Sequence, residues 1–138
     1  MKNNKVVQCT ELKRIPHPKG DILHVLKSSE YGYFEFGEAY FSIINQNEIK
    51  GWKKHSRMVM NLIVPVGDVT FYLFDDVNEV HSEYRVNTDN YVRLTVPPGY
   101  WMAFEGHDEP LNLVLNIASI EHDPNESINV DINHFTLR

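Results

Sequence analysis

The feature that most constrains this chain is its punctuation. Asn45-Gln46-Asn47, Gly67-Asp68, Thr88-Asp89-Asn90 and Pro97-Pro98-Gly99 are turn sequences, and the segments between such turns are short and dominated by Val, Ile, Tyr, Phe and Thr. That is strand composition. No stretch long enough for a substantial helix carries a clear 3.6-residue apolar stripe with capping signals, and nothing repeats at a fixed period. The expected strands are Ile22 to Leu26, Glu38 to Ile44, Ile49 to Lys54, Met58 to Val64, Val69 to Phe74, His81 to Val86, Tyr91 to Val96, Trp101 to Glu105 and Leu111 to Ile117. In one of them Val69, Phe71 and Leu73 alternate with Thr70, Tyr72 and Phe74, so both faces of the strand are at least partly covered. Closely spaced strands of this kind imply an all-β sandwich or barrel, here a jelly roll.

A length of 138 residues suits one domain with its own core. We read residues 1–138 as a single domain, with an N-terminal arm over about 1–20 and a C-terminal tail over about 121–138. The tail reads as acidic and turn-rich through His122-Asp123-Pro124-Asn125. With 42% apolar residues the chain is not disordered, and it has no apolar run long enough to span a membrane. The net charge of −6 argues against nucleic-acid binding through a general basic field. A lone Cys9 and a polar start from Met1 to Gln8 fit a reduced, cytoplasmic setting. The arm, as an exchangeable edge element, fits a homodimer.

Within this acidic chain Lys50, Lys53, Lys54 and Arg57 form a local basic cluster around His55. On alternating strand positions Lys53, His55 and Arg57 would face one side, and such a face inside a barrel suits a diphosphate. The plain alternative is a solvated strand end. Trp52, Tyr100, Trp101 and Phe104 offer a stacking surface, although Trp52 and Phe104 read first as core. Tyr40, Tyr72 and Tyr91 are alternative proton donors that spacing does not separate. His17, His24, His107 and His122 show no metal-binding spacing.

The segment from Gly51 to Met60, closing at Gly67, resembles the cupin motif, with His55 at the second histidine, Lys53 at the first and Met60 at the glutamate. Pro97-Pro98-Gly99-Tyr100-Trp101-Met102 is similar to the second cupin motif, with Met102 at its histidine. The loss of three of four ligand positions implies no bound metal and no other cofactor. Over about Gly20 to Asn125 the chain more closely resembles the dTDP-4-dehydrorhamnose 3,5-epimerase family of sugar-nucleotide cupins. Ile49-Lys50-Gly51-Trp52, Val96 to Phe104 and Asn116 to Pro124 carry the likeness, and Phe36 to Ser42 with Asn61 to Gly67 resemble a divergent subgroup of that family. A related group, the 3,4-ketoisomerases of dTDP-4-keto-6-deoxyglucose, is also similar around His55.

The resemblance implies a cupin-like double-stranded β-helix that acts on or binds a dTDP-4-keto-6-deoxyhexose in deoxysugar and lipopolysaccharide biosynthesis. It places Lys53 at the epimerases' basic histidine and Asn116 at about their acidic tyrosine. A lysine of ordinary pKa near 10.4 is no base at neutral pH, and asparagine does not titrate, so the usual double epimerisation is not expected. His55 remains as the catalytic candidate, with Lys50, Lys53, Arg57, Tyr100 and Asn116 as substrate-binding candidates. Two other readings stand beside the isomerase: a catalytically silent cupin that binds a nucleotide sugar or a partner protein, and an interaction domain whose barrel is filled by Met60 and Met102.

Overall fold

The computed structural model describes residues 5–138. The first four residues of the expected N-terminal arm therefore lie outside the described residues. Twelve strands run in the order β1 (Gln8–Glu11), β2 (Arg14–Ile15), β3 (Ile22–Leu23), β4 (Glu38–Ile43), β5 (Ile49–His55), β6 (Met60–Val66), β7 (Asp68–Asp75), β8 (Val80–Asn87), β9 (Val92–Val96), β10 (Trp101–Gly106), β11 (Leu113–Ala118) and β12 (Ser127–Asn129). A single 3-10 turn, Ile132–His134, is the one helical element among the described residues. Eight of the nine expected strands are present close to their expected bounds, and the other, Ile22 to Leu26, is reduced to Ile22–Leu23, paired with β2 outside the two main sheets. Three short ones, β1, β2 and β12, are additional, and β12 lies in the tail that the sequence reading treated as turns.

Two five-stranded antiparallel sheets face each other, ordered β1-β9-β6-β11-β4 and β12-β5-β10-β7-β8. From β4 onward each strand crosses to the opposite sheet, except for the β7–β8 hairpin. This is the jelly-roll, cupin-like barrel. Gly67 makes the sharp corner between β6 and β7: its φ is +99°, and a Cβ there would lie 2.6 Å from the Cα of Asn112.

Alternation then sorts the side chains. Met60, Leu62 and Val64 of β6, Val69, Phe71 and Leu73 of β7, and Val92, Leu94 and Val96 of β9 form the buried core between the sheets. The outer face of the second sheet has its own cluster, in which Trp52, Tyr72, Trp101 and Ala103 are covered by Val130, Ile132, Phe135 and Leu137 of the tail. Trp52 donates its indole N–H to the Ile132 carbonyl at 3.0 Å. On the outer face of the first sheet the fully buried Arg93 donates to the Val25 carbonyl at 2.8 Å and ties down the segment that leads to β4. Farther along that face Phe41 and Ile43 of β4 stay exposed. No helix among the described residues is long and apolar enough to cross a membrane.

Candidate active site

The site starts from an irregularity in β5. Lys53 pairs with Met102 and Lys50 with Phe104, so three residue steps on β5 oppose two on β10. Strict alternation would put two lysines three apart on opposite faces; the extra residue of this bulge returns both to the inside. Gly51 sits in the bulge with φ +152°, and a Cβ there would meet the Cβ of Ala103 at 2.5 Å. Only glycine fits this approach of β5 to β10.

Between the sheets lies a cavity of about 300 Å³ whose lining comes from the half of the barrel bounded by the edge strands β4 and β12. Met60, Leu62, Phe71 and Val114 give it an apolar lining, and Met102 and Phe104 line it from β10. The polar groups are Tyr40 and Ser42 from β4, Lys50, Lys53 and His55 from β5, Asn116 from β11 and Asn129 from β12. No carboxylate lines it among the described residues. The barrel is thus open where the interaction-domain reading expected Met60 and Met102 to fill it.

His55 is 7% exposed, and its Nδ1 is hydrogen-bonded to Oε1 of Glu126, which is 4% exposed. The other carboxylate oxygen accepts the backbone N–H groups of Ser56, Arg57 and Met58 at 3.1, 3.0 and 3.1 Å. Burial alone would push the Glu126 carboxyl up, but the His55 bond and the Arg57 and Met58 N–H groups outweigh it and hold the carboxyl below its usual range. An ionised carboxylate only accepts hydrogen bonds, so Nδ1 carries a proton, and in the neutral imidazole the lone pair is then on Nε2. Nε2 has no hydrogen-bond partner among the described residues, and the ring lines the cavity.

The two inward lysines differ. Lys50 donates to the Ile43 carbonyl at 2.6 Å and lies 6.0 Å from the Phe104 ring centre. Lys53 makes no hydrogen bond or ion pair among the described residues. Across the cavity Asn116 stands opposite Tyr40 in the β11–β4 register and donates its Nδ2–H to the Tyr40 hydroxyl at 3.0 Å. With that oxygen accepting from Asn116, the phenol's own O–H is left to donate. The Asn116 Oδ1 is buried without a partner.

Of the six residues selected from sequence, four meet at this cavity: His55, Lys50, Lys53 and Asn116. Arg57 and Tyr100 do not. The expected shared face of Lys53, His55 and Arg57 ends early because β5 stops at His55 and the chain bends; Arg57 lies outside, paired with Asp123 at 2.8 Å. Tyr100 belongs to the turn before β10, where it lines a separate open cleft of about 650 Å³ with Pro97, Pro98 and Asp75 and donates to the Lys5 carbonyl at 3.1 Å. The structure also separates the tyrosines. Tyr72 donates to Glu105 at 2.7 Å on the outer face, where burial and that bond push its pKa up to about 12, and Tyr91 donates to the His24 carbonyl at 2.9 Å. Only Tyr40 of these three lines the cavity.

Sequence reasoning missed Glu126, Asn129 and the selection of Tyr40. Both tail residues are placed by β12, whose Ser127, Ile128 and Asn129 pair with His55, Lys54 and Lys53. The available signal was the strand-like Ser127-Ile128-Asn129-Val130 after the turn, which puts a carboxylate at the start of a strand. Among the described residues no group of three or more His, Cys, Asp or Glu side chains is arranged to hold a metal ion.

Neither a family model nor a curated protein sequence matches the chain. Solved structures do. A dTDP-sugar isomerase from Desulfovibrio desulfuricans G20 is 30% identical, with a TM-score of 0.90 over 95% of this chain and 90% of that one. A sugar 3,4-ketoisomerase from Thermoanaerobacterium thermosaccharolyticum, in complex with TDP, is 20% identical, with a TM-score of 0.77 over 88% of this chain and 86% of that one. A dTDP-4-dehydrorhamnose 3,5-epimerase from Sulfolobus tokodaii shares the fold at 16% identity, with a TM-score of 0.83 over 94% of this chain and 80% of that one. With the barrel in common and the first of these similar in sequence along nearly its whole length, the chain belongs to the dTDP-sugar isomerase family, and it shares its fold with the dTDP-4-dehydrorhamnose 3,5-epimerases.

Proposed function

We propose that the protein is a nucleotide-sugar isomerase that binds a dTDP-4-keto-6-deoxyhexose in this cavity and moves a proton at the carbons beside the ketone, with His55 as the base. The observation that carries the reading is the His55–Glu126 pair: a buried carboxylate sets the tautomer and leaves Nε2 as a proton acceptor at the wall of a cavity that holds two lysines and no carboxylate. A proton acceptor beside a ketone needs a donor across from it, and Tyr40, held by Asn116, is that group. Its phenol comes from β4 and so offsets the asparagine on β11. Lys50 and Lys53 supply the positive charge for an anionic ligand, and Asn116 and Asn129 supply amide contacts. Arg57 and Tyr100 lie away from the cavity and have no role in this reading.

A cavity of about 300 Å³ is at the small end of ligand sites, so the hexose and the nearer phosphate occupy it and the nucleoside lies at its mouth. The reaction as read needs neither metal nor organic cofactor. The protein works as a cytoplasmic homodimer in deoxysugar and lipopolysaccharide biosynthesis, and the exposed Phe41 and Ile43 on the outer face of β4 are the surface a second copy would cover.

The test is solvent deuterium incorporation beside the ketone of a dTDP-4-keto-6-deoxyhexose, followed by NMR, with binding measured by calorimetry. Wild type should exchange, and His55→Asn should lower exchange by about 10²–10⁴-fold while still binding dTDP. Full exchange in His55→Asn would put the base elsewhere. Binding without exchange in wild type would favour the silent-binder reading, for which Lys53 and Asn116 at the family's catalytic positions already speak.

A further inference from the structure

We propose that Lys53 is a catalytic residue, whose ammonium donates to the ketone oxygen of the sugar and holds the negative charge that develops there while His55 carries the proton. The inference rests on the isomerase reading above and gives Lys53 a part at the reacting atoms instead of a share in diphosphate binding.

Three observations carry it. Lys53 and His55 are two residues apart on one strand face, so their Cα atoms lie about 7 Å apart and their side chains run side by side into the cavity. A ketone oxygen and the hydrogen on the neighbouring carbon fit between two such groups. The Lys53 ammonium is also uncommitted: no described residue lining the cavity is acidic, the Glu126 carboxylate is taken by His55 and three backbone N–H groups, and Lys53 has no partner among the described residues. Lys50, by contrast, is bound to the Ile43 carbonyl and is five residues from His55, which suits it to the phosphate end of the ligand.

In the step this implies, the C–H bond beside the ketone breaks and its proton goes to Nε2 of His55. The electron pair forms a carbon–carbon double bond, and the carbonyl pair moves onto oxygen, against Lys53. For a ketone shift the proton on Nε2 then passes to the former carbonyl carbon, while Tyr40 gives its hydroxyl proton to the enolate oxygen and takes the proton of the adjacent hydroxyl, which becomes the new carbonyl. A cation at that oxygen stabilises the transition state more than the ground state.

The experiment compares wild type, Lys53→Gln and Lys53→Arg. It measures calorimetric affinity for dTDP, which has no ketone, and deuterium exchange at saturating dTDP-4-keto-6-deoxyhexose. Lys53→Gln should bind dTDP within about twofold of wild type and lose about 10²–10³-fold in exchange at saturation, and Lys53→Arg should recover part of the loss. If Lys53→Gln weakens dTDP binding and regains full exchange at saturation, Lys53 is a diphosphate contact and the proposal is overturned. Absence of exchange in wild type sinks the isomerase reading and this proposal together, whereas exchange in wild type with an unaffected Lys53→Gln sinks this proposal alone.

Discussion

The two faces of β5 use one stretch of chain in opposite ways. On the outer face Trp52 is fully buried under the tail and its N–H is bonded, and Lys54 is paired with Asp76 at 3.1 Å above the Trp101 ring. On the inner face, among the described residues, Lys53 has no partner, Nε2 of His55 has none, and Asn116 across the cavity leaves a buried oxygen unbonded. Buried atoms without a partner also occur at His81 and Arg93 on the outer faces, so the contrast belongs to β5 itself: its outward side chains are committed to partners, and its inward ones are left to face a ligand. Along β5 the outward side chains hold the tail in place, and the inward ones face the cavity.

The largest expected effect tests the outer face. Trp52→Ala would empty a site enclosed by Tyr72, Trp101 and the tail, and it would leave the Ile132 carbonyl without its donor. A loss of about 3–5 kcal/mol is expected, read as a lower midpoint in urea. If Trp52→Ala were as stable as wild type, the assignment of this face to stability would be wrong.

Next comes Glu126, which belongs to both sides because it builds the turn after β5 and also fixes His55. Glu126→Gln keeps the size but removes the ionised acceptor, and exchange should fall by about 10²-fold as His55 loses its set tautomer. Stability carries a pH signature. The folded carboxyl lies below its ordinary value of 4.5, so the ionised form's contribution is complete above that value and is lost as pH falls through the lower folded value. The stability gap between wild type and Glu126→Gln should therefore be widest above pH 4.5 and shrink on acidification; a gap that widened in acid would contradict the pairing.

The barrel was legible in the sequence and the completed site was not, for a physical reason. Turn chemistry and period-2 alternation are local, and they sufficed for eight strands of the two main sheets and for the inward and outward split of Val69 to Phe74. Glu126 reaches His55 across 71 positions of sequence, through a three-residue strand with almost no pattern of its own. Arg57 was misplaced because alternation was extended past the end of β5. Lys50 and Lys53 both read as ligand contacts from sequence, but alternation alone cannot put residues three apart on one face; the bulge at Gly51 does. Gly51→Ala tests that device. Its Cβ would press on Ala103, so a cost of about 1–3 kcal/mol is expected, together with weaker dTDP binding as the lysines shift. Unchanged stability and affinity would mean that β5 accommodates the side chain without moving either lysine.

The smallest effect is the sharpest test of the contrast between the faces. Lys54 is next to Lys53 in sequence, with the same charge and length, but it points outward to Asp76 and Trp101. Its side chain is 26% exposed and that of Asp76 is 34%, so solvent screens the pair, and partly exposed ion pairs contribute about 0–1 kcal/mol. Asp76 keeps a second partner, because the Trp101 indole N–H donates to it at 2.9 Å. Lys54→Gln should thus cost at most about 1 kcal/mol, lose that difference at high salt, and leave dTDP affinity and deuterium exchange at the wild-type level. Set against Lys53→Gln, it holds the charge change constant and varies only the face. Equal losses of exchange in the two variants would mean that the general positive field of the strand matters and that Lys53 has no particular place at the ketone.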